Sequence, residues 1–140
     1  MESQESRVRG TSPKSPGASG RKSQAAAPSE LRRWLMARRA EVEARFLKRP
    51  DPHRMLAAHA TFVDLLLQRL WSGCVGDKAL ALVAVWGYGR GLLFPHSDVD
   101  VLVLLPDGRE ADASIERFVG ALWDCGLDPG HSVRTVSECA

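Results

Sequence analysis

Residues Leu82–Leu105 read LVAVWGYGRGLLFPHSDVDVLVLL, and this stretch decides the fold. The run Ala79–Val85 is short and continuously apolar, as a buried strand requires. A glycine-rich turn follows, Gly87-Tyr88-Gly89-Arg90-Gly91, and then the loop Leu92–His96. A second strand is expected over Val99–Leu105, closed by the turn Pro106-Asp107-Gly108. On that strand Val99, Val101 and Val103 alternate towards a core, so Asp98 and Asp100 are expected to converge on the opposite face. Two adjacent carboxylates repel each other unless a cation lies between them. Mg²⁺ is suited to such a pair, because it takes one or two carboxylates and completes its shell with phosphate oxygens and water. Taken alone, D-x-D more often marks a solvated strand end, with Ser97 and Asp98 shaping the turn.

Outward from this centre the hydrophobic period changes. Leu31, Leu35, Val42 and Phe46 recur at helical spacing, predicting a helix that begins with Ser29 as N-cap and ends near Arg49, before Pro50 and Pro52. A second helix is predicted from His53 to Trp71, with Leu56, Ala60, Val63, Leu67 and Leu70 along one stripe. Beyond the second strand, Ile115, Phe118, Val119 and Leu122 give a helical face from about Glu110 to Cys125, ended by Gly126, and a third strand is expected at Ser132–Val136. Trp34, Trp71 and Trp123 are assigned to core packing, and Cys125 to a buried position. The order is helix, helix, strand, strand, helix, strand. The class is α+β, a helical lead-in followed by a small mixed sheet.

Composition narrows the function. The 140 residues are 44% hydrophobic, enough for one core. The net charge of +2 comes from the first thirty residues, and the charges of the rest cancel. Such a body lacks the clustered positive charge of a nucleic-acid binder. No apolar run approaches the ~18–20 residues of a bilayer span, and no apolar leader marks a secretory signal. Three cysteines, odd in number and without CxxC spacing, argue against a disulfide framework or a structural zinc and fit a reducing cytoplasm. Residues 1–28 are dominated by Ser, Gly, Pro, Ala, Lys, Arg and Gln, and are expected to form a disordered tail, with 29–140 the folded domain.

The glycine turn has its own chemistry. Glycines accept positive φ and let backbone N–H groups approach a phosphate, and Arg90 can add a charge. It is neither G-x-G-x-x-G, since Leu93 holds the last place, nor a Walker loop. A strand, a glycine turn, about ten residues and then D-h-D opening a strand nevertheless resembles the DNA polymerase β nucleotidyltransferase superfamily. There two metals promote attack on the α-phosphate, with pyrophosphate leaving.

GYGRG…LFPHSDVDVLVLL more closely resembles the N-terminal domain of the bacterial PII uridylyltransferase family, the bifunctional uridylyltransferase/uridylyl-removing enzymes of nitrogen regulation. LWDCGLDPGHSVRTVSEC (Leu122–Cys139) and RFLKRPDPHRMLAAHATFVDLLLQRLW (Arg45–Trp71) resemble two further family segments, in the same order. The resemblance covers roughly residues 30–140. It implies a polymerase-β-type nucleotidyltransferase fold, incomplete at its C-terminal end. The implied reaction is Mg²⁺-dependent transfer of UMP from UTP to a tyrosine of the PII signalling protein. In the family, glutamine acts through further domains that do not fit within this length, as does removal of the UMP by hydrolysis. By the same resemblance Asp98 and Asp100 are the metal-binding carboxylates. Gly87, Gly89 and Arg90 belong to the triphosphate turn, and Ser97 orients the aspartates. His131, Ser132 and Arg134 are assigned mainly to sheet packing and site support, with a nucleotide contact as the lesser reading. His96 is a turn residue rather than a ligand.

Three departures from the family pattern bear on activity. Trp86 stands where the family has a glycine, a strained position for it if φ is positive. Leu92 stands where the family usually has Glu. No third carboxylate emerges before Ala140, since Glu116, Asp124 and Glu138 read as surface residues. The expectation is a nucleotide-site fold with little or no turnover in this chain alone. Two other readings stay open: a stand-alone nucleotidyltransferase with another target, and a non-catalytic nucleotide-binding or interaction module.

Overall fold

The structure is a computed structural model that describes residues 27–140. The expected tail falls outside the described residues up to position 26. Helix α1, Pro28–Lys48, starts two residues earlier than the sequence suggests. Ala27 is its N-cap and gives no side-chain bond, so Ser29 lies inside the first turn rather than capping it. Pro28 starts the helix instead, its fixed φ already helical and its missing N–H not needed there. Glu30 in the first turn and Arg45 and Lys48 in the last complement the helix dipole. Helix α2, Pro52–Cys74, is capped by Asp51, whose side chain accepts from the Arg54 N–H at 3.1 Å.

Strand β1 (Ala81–Ala84) pairs antiparallel with β2 (Val99–Leu105), and β2 pairs in parallel with β3 (Pro129–Thr135), in the order β1-β2-β3. A parallel pair needs a crossover, and helix α4, Ala113–Asp124, supplies it. Asp112 caps α4, accepting from the Ser114 N–H at 2.8 Å. The helix ends in a Schellman turn: Gly126 at φ +86° donates to Trp123 O at 2.9 Å, and Leu127 donates to Leu122 O at 3.1 Å. This is an α+β arrangement with a small mixed sheet.

The core lies on one face of that sheet. Val99, Val101, Val103 and Leu105 are buried there with Leu35, Val63, Leu66, Phe118 and Leu122 from the helices. Trp71 meets Phe118 edge-on at 5.1 Å. The period-2 pattern of β2 therefore does what it predicts, leaving Asp100, Leu102 and Leu104 on the opposite, open face.

Two expectations about packing are corrected. The apolar run around β1 is not a buried strand: Ala81, Val83 and Ala84 are exposed and Leu82 is half-buried. β1 has a neighbour on one side only, and nothing among the described residues covers its open face. Trp123 is 54% exposed rather than in the core. The buried stripe of α4 is Ile115, Phe118 and Leu122, and the residue after Leu122 points about 100° away from it. Among the described residues no helix is long and apolar enough to cross a membrane. Cys74, Cys125 and Cys139 are free, and Cys125 is fully buried as expected.

Candidate functional site

Between β1 and β2, where the sequence suggests a glycine-rich turn, the chain forms a single helical turn, α3, Trp86–Gly89. Gly89 donates to Val85 O at 2.9 Å and Gly91 to Tyr88 O at 2.9 Å. Glycine at 89 is required by space, because a Cβ there would lie 2.7 Å from the Ala84 carbonyl oxygen, a backbone atom that cannot yield. The turn is anchored from below by Tyr88, which is buried and donates its hydroxyl to the Asp64 carboxylate of α2. Burial, and after it the bond to Asp64, push the phenol above its ordinary range, so it stays protonated and keeps donating.

The loop from Leu92 to Asp98 is tethered by a residue that the sequence reading leaves aside. His59 of α2 is completely buried and bonds through Nδ1 to the Leu93 carbonyl at 3.1 Å. Its Nε2 accepts from Arg39 Nε of α1 at 3.3 Å, so the proton sits on Nδ1 and the ring is neutral. Burial, reinforced by the Arg39 charge, lowers its pKa to about 4. The signal lay in the helical stripe, since His59 precedes Ala60 and stands four residues before Val63 on the buried side.

The open face of the sheet carries a cleft of about 820 Å³, with Trp86 and Gly89 at one wall, Asp100 on its floor, and His131, Ser132 and Arg134 of β3 at the other wall. By register Gly130 stands beside Asp100, Ser132 beside Leu102 and Arg134 beside Leu104. Of the residues proposed from sequence, Gly89 and Asp100 line this cleft, whereas Gly87, Arg90, Ser97 and Asp98 are not part of its lining. Asp98 is exposed immediately before β2. Ser97 donates its hydroxyl to Phe94 O at 2.7 Å, which shapes the turn. His96 holds a left-handed φ of +66°, as a turn residue does. Trp86 is also left-handed, at φ +54°, and 78% exposed. It carries the strain that an L side chain pays where glycine would be free.

A second cleft, of about 560 Å³, lies at the α1–α2 connection among Val42, Phe46, Met55 and several arginines, and shares no residue with the first. Among the described residues no three potential metal ligands cluster. Of the two aspartates expected from sequence to share a cation, only Asp100 lines the cleft; its oxygens are hard donors of the kind that suit Mg²⁺.

Comparison with known proteins bears on what such a cleft does. The chain is 50% identical over 119 residues to the bifunctional uridylyltransferase/uridylyl-removing enzyme of Burkholderia thailandensis, an overlap covering 82% of this chain and 14% of that protein. It is a homologue of the bifunctional uridylyltransferase/uridylyl-removing enzymes. The Burkholderia vietnamiensis enzyme is 48% identical over 120 residues, or 81% of this chain, and a Burkholderia mallei enzyme is 50% identical over 105 residues, or 74%. This uridylyltransferase homologue spans about 14% of the length of the first two relatives, so it corresponds to a small part of those enzymes. No protein-family model and no solved structure matches it.

Proposed function

We propose that this uridylyltransferase homologue forms the metal–nucleotide half of a uridylyl-transfer site, taking UTP with Mg²⁺ and directing UMP to a tyrosine of the PII protein. The observation that carries the reading is the Asp100 carboxylate on the open face of the central strand. It faces a cleft walled by a glycine turn, in a chain half identical to uridylyltransferases. Asp98 and Asp100 would hold the metal. Bound Mg²⁺ neutralises the triphosphate charge and favours pyrophosphate departure. The turn at Gly87 and Gly89, with Arg90, would receive the triphosphate, and the Tyr88–Asp64 bond keeps that turn fixed on α2. Ser97 holds the bend that delivers Asp98 and Asp100 to the start of β2. In transfer, the tyrosine oxygen bonds to the α-phosphorus as the bond to pyrophosphate breaks, and the phenolic proton passes to solvent or base.

Turnover by these 140 residues alone is expected to be small. Trp86 stands at the cleft wall, and Asp100 is the only carboxylate that lines the cleft. The test incubates the chain with PII, Mg²⁺ and UTP labelled at the α-phosphate. The expected result is no more than trace labelling of PII, against rapid labelling by a full-length relative. Turnover matching the full-length enzyme would refute the assignment of the chain as half a site.

A second reading, a non-catalytic nucleotide-binding module, is favoured by one feature, the exposed left-handed Trp86 beside Asp100. Restored turnover when the remainder of a relative is supplied in trans would reject that reading.

A further inference from the structure

We infer that Gly130 is the positioning residue for the Asp100 carboxylate, its bare backbone forming the floor on which that carboxylate lies. The metal role of Asp100 rests on the function proposed above, whereas the contact itself rests on geometry. In the parallel β2–β3 register Asp100 and Gly130 are direct neighbours on the open face. A Cβ built on Gly130 falls on Asp100 Oδ1 and lies 3.4 Å from its Cγ. Backbone conformation does not demand glycine here. The left-handed glycines of the described chain are Gly91, Gly108 and Gly126, and Gly130 is ordinary strand. Space is the only thing this glycine provides, and the space is filled by the carboxylate.

The contrast with Gly89 fixes what a substitution does. At Gly89 an added methyl meets a backbone carbonyl, so the backbone would have to shift. At Gly130 it meets the end of a short side chain with two rotatable bonds, which can swing aside. Gly130→Ala should therefore fold and displace the carboxylate, and a misplaced ligand or its support typically costs metal affinity about 10–100-fold. Sequence reading gives no hint of this, because a glycine in G-H-S-V-R-T looks like the start of a strand and nothing more.

The test is a double-mutant cycle on the chain itself: wild type, Gly130→Ala, Asp100→Ala and the double variant. Mn²⁺ uptake by the protein without nucleotide is read from the loss of the free-ion paramagnetic resonance signal, and stability from thermal melting. Gly130→Ala is expected to weaken Mn²⁺ uptake at least about tenfold. It should lower the melting temperature only where Asp100 is present, and leave it unchanged or raised beside Asp100→Ala. Wild-type Mn²⁺ affinity in Gly130→Ala, or an equal melting shift in both backgrounds, would overturn the inference. Should wild type take up no Mn²⁺ while the melting cycle still couples the two positions, the metal reading fails and the Gly130–Asp100 contact stands.

Discussion

Lowering the pH should unfold this protein through His59 before any carboxylate contributes. The ring is completely buried, neutral, and bonded on both nitrogens, to Leu93 O at 3.1 Å and Arg39 Nε at 3.3 Å. Its pKa is lowered to about 4 in the folded state, against 6.5 for an ordinary histidine. Between those values the unfolded chain binds a proton that the folded chain refuses, so stability is full above about pH 6.5, falls towards pH 4 and levels off below. The separation corresponds to on the order of 3 kcal/mol, a large part of the ~5–15 kcal/mol that holds a typical domain. Asp77, Asp107 and Asp112 act in a different window. Their pKa values are lowered, chiefly by hydrogen bonds from the Ala79 N–H, the Ser137 N–H and the Ser114 side chain respectively, so their stabilising effect is lost only in more acid solution. The assay is urea denaturation at about pH 7.5, 5.5 and 4.5, with the His59→Leu variant beside wild type. Wild type should lose stability steadily across that range, and His59→Leu, less stable at neutral pH, should show a much flatter slope. An equal slope in both proteins, or a His59 ring resonance titrating near 6.5, would refute the reasoning.

Two further substitutions probe the turn. Tyr88→Phe removes the hydroxyl that donates to Asp64 and should cost about 1–2 kcal/mol in chemical denaturation, the lower end for a bond to a charged group because Asp64 itself is exposed; no measurable loss would show that the turn is held by packing alone. Trp86→Gly relieves about 1–2 kcal/mol of left-handed strain but adds flexibility to the unfolded chain. Its melting temperature should therefore move little while Mg²⁺-dependent UTP affinity rises several-fold. Unchanged affinity by calorimetry would place the indole clear of the phosphates.

Where sequence and structure agree, one local period controls the outcome. The alternation of β2 and most of the helical stripes of α1, α2 and α4 bury the side chains they predict, with Phe46, Leu56 and Val119 only half-buried, because a strand or helix has only one face to give to a core. The divergences arise where position in the sheet or a neighbour decides. An apolar run such as Ala79–Val85 looks alike at the centre or the edge of a sheet, and β1 is an edge. Trp123 lies one residue beyond a buried leucine, and a step of about 100° moves it to the surface. Within the site, Asp100 and its face were legible from spacing. The helical stripe signals the burial of His59, but the roles of His59, Tyr88 and Gly130 were not legible, since they come from partners 20 to 34 residues away in sequence for the first two and from the strand alongside for the third.

The central claim is that the Asp100 side of the sheet takes a nucleotide through a divalent cation. Calorimetric titration of UTP into this chain, with and without Mg²⁺, and into Asp100→Asn, tests it most directly. The account predicts UTP binding that requires Mg²⁺ in the wild-type chain and disappears in Asp100→Asn. No binding, or UTP binding that persists without Mg²⁺ or survives the loss of the Asp100 charge, would contradict it.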